Sequence, residues 1–300
     1  MSPTPLFILG IAQRSGTNYL REVLTLHPEC ARSRHTGEDF LVQAIPHLEQ
    51  FICAASSFWN PSWGNDPALL KAALARALTS YLTPDGCTAT YVVTKTPSCT
   101  NADKCLEVFD HAYVIIIIRN GQDLVESFIR SFPADFSYAA RLWAAGAREV
   151  LRVRSNQAHM RSKRILEVKY EDLYQHHAST MKSIFDFLGV NESHFDYAQS
   201  EACAVRGSST YRSGAQQLSW APIPKGADFC PLQRSSEWTR WKHYRFNWIA
   251  GKLSKELGYP LHYETKSISY CIYNLLSSTL EMPVRCVRII RDCLQRSLPL

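Results

Sequence analysis

Leu6-Phe7-Ile8-Leu9-Gly10-Ile11-Ala12-Gln13-Arg14-Ser15-Gly16-Thr17-Asn18 is the stretch on which the fold turns. Its first six residues are almost wholly apolar and lack period-two alternation, as expected of a strand covered on both faces in a parallel sheet. Gln13 to Asn18 breaks the run. From Tyr19 to Leu26 the apolar positions Leu20, Val23, Leu24 and Leu26 fall at roughly helical spacing, and His27-Pro28 ends that helix. Strand, tight polar loop and helix together gather backbone N–H groups at the positive end of a helix dipole, a nest that binds phosphate. The Walker A pattern G-x-x-x-x-G-K-S/T is not met: five residues separate Gly10 from Gly16, Thr17 stands where the lysine belongs, and the cation lies inside the loop at Arg14.

The same grammar recurs downstream. Tyr91 to Lys95 and the β-branched run Ala112 to Ile118 read as central parallel strands. After Arg119 the chain turns at Asn120-Gly121 into a helix, with Asn120 as its cap and Asp123 in its first turn. Arg164 to Tyr170 forms a further strand, and a helix from about Ala178 to Leu188 is closed by Gly189. Alternation of this kind predicts an α/β fold, a P-loop-like three-layer sandwich whose central, mainly parallel sheet is flanked by helices, with ligands at the carboxyl ends of the strands. Gln50 to Pro67 (Phe51, Phe58, Trp59, Trp63) and Gly207 to Gln233 read as irregular functional loops. One domain is expected over residues 1–262. Residues 263–300 form an extension whose end carries Val284, Val287, Ile290, Leu294 and Leu298 on one side and Arg285, Arg288, Arg291 and Arg296 largely on the others, an amphipathic basic helix. Packing on the domain is preferred for this helix over contact with a membrane surface or a partner.

Composition narrows the classes. The 300 residues are 46% hydrophobic and 20% charged, so disorder and small disulfide scaffolds are excluded. Thirty-three basic against 27 acidic residues give +6 with His neutral, too little for a nucleic-acid coat and suited to a small polyanion. The ten cysteines contain no C-x-x-C pair and read mostly as reduced, buried small hydrophobes. The amino terminus lacks the pattern of a secretion signal, and the longest aliphatic run, Tyr113 to Ile118, is far below the roughly 18 residues of a membrane span. A cytoplasmic location is expected.

Gln13-Arg14-Ser15-Gly16-Thr17-Asn18 after an apolar strand, with His27-Pro28 closing the next helix, resembles the 5′-phosphosulfate-binding loop of the sulfotransferases that use 3′-phosphoadenylyl sulfate (PAPS). The arginine form is most similar to the tyrosylprotein-sulfotransferase-like branch and its bacterial relatives. On this resemblance Ser15, Gly16, Thr17 and Asn18 join Arg14 in holding the cofactor. Arg119 and Ser127, in R-x-G-x-D-x-x-x-S, match the element that holds the 3′-phosphate, and an arginine ending a strand can converge with a serine on the following helix upon one phosphate. Tyr170, in Val168-Lys169-Tyr170-Glu171-Asp172-Leu173, matches a tyrosine near the adenine end. The likeness covers most of residues 5 to 190, and Glu237 to Gly258, closing in Leu257-Gly258-Tyr259, resembles the family's carboxyl-terminal region. Arg206 and Ser208, in Arg206-Gly207-Ser208-Ser209, are candidates for a further phosphate or adenine contact.

The implied reaction is in-line transfer of a sulfuryl group from PAPS to a hydroxyl or amine of a small molecule, sugar or peptide, with no metal expected. Arg14 and the loop N–H groups stabilise the departing 5′-phosphate. Lys95, ending a strand, resembles a family lysine that contacts the sulfuryl region. Thr36-Gly37-Glu38-Asp39-Phe40 resembles the family's acidic site, so Glu38 and Asp39 are candidate bases, with a slight preference for Glu38, and His35 is the third. Acceptor contacts are expected in Phe51 to Trp63 and around Phe132 to Trp143. Two other readings compete: a phosphoryl transferase using ATP and magnesium, disfavoured by Thr17 and by Arg119 where an acidic metal ligand would stand, and a non-catalytic nucleotide-binding protein on the same fold.

Overall fold

A computed structural model describes residues 3–34, 37–204, 230–264, 268 and 270–279. Five strands, β1 (Thr4–Gly10), β2 (Cys30–Arg32), β3 (Tyr91–Thr96), β4 (Tyr113–Ile118) and β5 (Ile165–Lys169), form one wholly parallel sheet in the order β2-β3-β1-β4-β5. The helices are α1 (Thr17–Leu24), α2 (Ile45–Ser56), α3 (Pro67–Leu82), α4 (Cys105–Val108), α5 (Gly121–Ile129), α6 (Phe136–Ser155), α7 (Gln157–Ser162), α8 (Tyr170–Gln175), α9 (His177–Leu188), α10 (Tyr197–Glu201) and α11 (Arg240–Glu256), with a further helical segment over 270–279.

The unalternating strands follow from burial on both faces. On β1, Phe7 and Leu9 enter one core with Val92, Val114, Ile116, Trp143 and Phe246, while Leu6 and Ile8 enter a second with Leu20, Val93, Ile115, Ile117, Ile184 and Phe185. Helices α5, α6 and α11 therefore cover one face and α1, α8 and α9 the other, the expected three layers. In-register parallel pairing sets Ile8 against both Lys95 and Ile115, so the ends of β1, β3, β4 and β5 lie along one edge of the sheet. From β1 the chain leaves towards β2, and from β4 towards β5, on the other side. The connections thus diverge between the carboxyl ends of β1 and β4, which opens a crevice there.

Several local readings are corrected. The segment from Gln50 to Pro67 is not a long irregular loop: α2 runs to Ser56, and a short 3₁₀ turn occupies Pro61–Trp63. Only Ile45 and Ile52 of α2 are buried, so a clear apolar stripe is missing. The edge strand β2 and the helix α3, with only Ala75 and Leu82 buried, went unpredicted for the same want of apolar pattern. Helix α1 begins and ends two residues before the expected Tyr19 and Leu26. All eight described cysteines are free, but only Cys30, Cys99 and Cys105 are buried. Among the described residues no helix is long and apolar enough to cross a membrane. The basic stretch beyond Glu281 lies outside the described residues.

Candidate functional site

The loop between β1 and α1 is folded around Ser15 and Gly16. The Ala12 amide donates to Ser15 Oγ at 3.1 Å, and the same hydroxyl donates back to the Ala12 carbonyl, so Ser15 staples the loop rather than presenting its hydroxyl outward. Arg14 and Gly16 both have positive φ, 77° and 101°. Gly16 is required twice over, since a Cβ there would overlap the Tyr170 ring. Thr17 is buried at the start of α1 and Asn18 is half-buried beside it. Behind the loop, Gly146 of α6 lies so close that a Cβ would overlap the Ile11 carbonyl oxygen.

Arg119 follows β4 directly and is 4% exposed. Its guanidinium donates to the Arg14 carbonyl at 2.7 Å and to the Pro231 carbonyl at 2.5 Å, and stacks 4.5 Å from the Tyr170 ring centre. The start of the next helix is fixed as expected: Asn120 Oδ1 caps α5 by accepting from Gln122 and Asp123, and the Asn120 amide donates to Glu171 Oε1. Glu171 Oε2 accepts from the Tyr259 hydroxyl, which ties the end of β4 to α8 and to the chain beyond α11. Two turns along α5 from Arg119, the buried Ser127 Oγ accepts from Arg14 Nε at 3.3 Å and from Arg234 Nη1 at 3.5 Å. Arg14 thus touches Ser127 through its side chain and Arg119 through its carbonyl.

Arg234 is the site residue that sequence reading missed. It stands just past a stretch read only as a loop, and no local pattern marks it. Burial, then Arg119 and Arg234, push the Arg14 guanidinium down to about 10, and burial with Arg119 lowers Arg234 as well. The three guanidinium groups crowd together, and Asp123 is the carboxylate that opposes the shift at Arg234. Buried Nε atoms of Arg119 and Arg234 have no hydrogen-bond partner among the described residues. Concentrated donors of this kind suit an anion with several oxygens.

Along the same sheet edge, Lys95 is 1% exposed and its Nζ donates to Glu38 Oε1 at 2.7 Å. Burial lowers the Lys95 ammonium and the Glu38 bond opposes that shift. Asp39 is engaged differently: its carboxylate accepts from the Leu41 amide at 2.8 Å and from the Thr94 hydroxyl, and burial raises its pKa against both bonds. Glu38 therefore faces the lysine while Asp39 braces the turn that carries it. His35, Arg206 and Ser208 lie outside the described residues.

Trp143 is corrected: it is wholly buried in α6 and its indole donates to the Arg119 carbonyl at 3.0 Å, so it supports the site from behind and offers no acceptor surface. Phe132 likewise packs on Phe128, with ring centres 4.8 Å apart. By contrast Phe40, Phe51, Phe58 and Trp63 are exposed. A cleft of about 490 Å³ opens beside Tyr19, Tyr174, His176 and Glu201, one turn along α8 from Tyr170. His27, Glu29 and His194 bring three ligand-type atoms within 4.8 Å, but both ring nitrogens of His27 are already bonded, to the Asn191 carbonyl and the Glu29 amide.

A parallel sheet with a tight glycine loop at its switch point and clustered guanidinium groups beside it has the architecture of the P-loop-like α/β class. Within that class the sequence is specific: a model of the sulfotransferase family matches residues 5–194, and the chain belongs to that family. It is 26% identical over 199 residues to Protein-tyrosine sulfotransferase 1 of Danio rerio, covering 62% of this chain and 53% of that protein, so it spans about half the length of that relative. Among solved structures, the sulfotransferase domain from the Synechococcus PCC 7002 olefin synthase is similar in fold, with a TM-score of 0.50 and 20% identity, covering 87% of this chain and 97% of that one.

Proposed function

We propose that this protein transfers a sulfuryl group from PAPS to a hydroxyl or amine of a small-molecule, sugar or peptide acceptor. The observation that carries the proposal is the convergence of Arg14, Arg119, Arg234 and Ser127 beside the loop, with the Lys95–Glu38 pair on the same sheet edge. The residues fit such a nucleotide: the buried, unpartnered Nε atoms of Arg119 and Arg234 and the Ser127 hydroxyl match a phosphate, and the close approach at Gly16 gives the loop and Tyr170 a common surface. When bound, the nucleotide supplies a sulfuryl group already activated on its 5′-phosphate.

Every remaining function falls to side chains and backbone of the chain. Arg119, Arg234 and Ser127 hold the 3′-phosphate, and the loop N–H groups with Arg14 hold the 5′ end, where fixed positive charge favours the departing group. Tyr170 and the neighbouring cleft at Tyr174 face the base. Glu38 takes the acceptor's proton, with Lys95 Nζ holding its carboxylate in place through Oε1. Phe40, exposed two residues after Glu38 in the chain, is placed to meet the acceptor. A phosphoryl transferase is disfavoured because β4 ends in a buried arginine rather than an acid.

The test is release of adenosine 3′,5′-bisphosphate from PAPS, measured with hydroxyl, sugar, amine and peptide acceptors. Acceptor-dependent release that is lost in Arg14→Ala supports the proposal. Release that survives Arg14→Ala, or none with any acceptor, contradicts it.

A further inference from the structure

Asp123 poses an electrostatic puzzle that the function does not absorb. It is 6% exposed, it lies on α5 between Arg119 and Ser127, and it puts a negative charge next to the cluster that would hold a phosphate. Simple electrostatics makes it a hindrance to anion binding. Its bonds show a different use. Oδ2 accepts from the Gln233 amide at 2.8 Å, and Oδ1 accepts from the Ser235 amide at 3.0 Å and the Ser235 hydroxyl at 2.8 Å. Both oxygens are thus spent on the two residues that flank Arg234. Gln233 has a φ of 59°, a left-handed conformation that a non-glycine residue holds only under local constraint. Glu126, one turn on, holds the same stretch through the Trp238 indole at 2.7 Å, and Arg119 holds Pro231.

We propose that Asp123 is a positioning residue: it clamps the 233–235 turn onto α5 so that Arg234 completes the subsite for the 3′-phosphate. This rests on the nucleotide reading above. Helix α5 and the two residues before it then contribute Arg119 and Ser127 directly and Arg234 through the clamp, so one helix and its lead-in assemble the whole subsite.

The sign of one substitution separates positioning from charge. Asp123→Asn keeps the shape but sets an amide where a backbone N–H must be accepted. Binding of adenosine 3′,5′-bisphosphate and of adenosine 5′-monophosphate, which lacks the 3′-phosphate, is measured by calorimetry on the full chain. The clamp requires bisphosphate affinity to fall about 10-fold, as for loss of a charge-assisted bond, with monophosphate affinity unchanged. Arg234→Ala should give the same selective loss, and the double variant should be no weaker than Arg234→Ala alone, because both act through one group. Equal or tighter bisphosphate binding by Asp123→Asn, or additive losses in the double variant, overturns the proposal. Should Asp123→Asn not fold, Ser235→Ala removes one clamp bond, and a selective loss of about threefold is expected, equality with the unmodified chain overturning it. An unmodified chain that binds neither nucleotide overturns the nucleotide reading itself, and the clamp's proposed role with it.

Discussion

At the scale of the residue, two acids adjacent in sequence have separate tasks. Glu38 Oε1 touches Lys95, while Asp39 is bound to Leu41 and Thr94. Glu38→Gln is expected to cut turnover by roughly 100-fold or more while leaving bisphosphate binding intact, as steady-state rates and calorimetry would show. Asp39→Ala is expected to lower stability by about 1–2 kcal/mol in chemical denaturation and to retain far more activity than Glu38→Gln; the opposite ranking would exchange their roles. Arg14, Arg119 and Ser127 were legible in the sequence because loop, strand end and helix place them at fixed offsets. Arg234 was not, because its position depends on the Asp123 carboxylate, distant in the chain. Trp143 was not legible as core because nothing local marks the aromatic that turns inward, and its ring is wholly buried with its indole on the Arg119 carbonyl.

At the scale of the element, the strands and their following helices could be read because burial on both faces removes alternation and because Asn120 and Gly189 mark a helix start and a helix end. Helices α2 and α3 could not, since each buries only two residues and leaves no apolar stripe to find. Close packing of α6 on the loop makes Gly146→Ala a test of how that helix supports the site: the melting temperature and bisphosphate affinity should fall together, and normal values for both would show that the loop does not depend on α6. Helix α11 carries a pH response. Burial, then His262, push the His243 imidazole down to about 4 from 6.5. Between those values the unfolded chain binds the proton first, so this residue's contribution to stability falls as pH drops from 6.5 to about 4 and is regained as pH rises. His243→Phe should flatten that part of a melting-temperature profile relative to the unmodified chain; parallel profiles would assign the acid sensitivity elsewhere.

At the scale of the molecule, the sheet order puts the divergence of the connections between β1 and β4, and the cationic cluster stands there. Three arginines of this chain meet at that crevice. Like charges held this close destabilise the ligand-free fold and are relieved by an anion. The central claim is that this crevice is built for a nucleotide with two separated phosphates, and thermal denaturation with added nucleotide in the presence of a metal chelator tests it most directly. Adenosine 3′,5′-bisphosphate at 100 times its Kd should add about 2.7 kcal/mol, visible as a rise in melting temperature that is lost in Arg119→Ala. Stabilisation by ATP with magnesium and none by the bisphosphate would contradict the account.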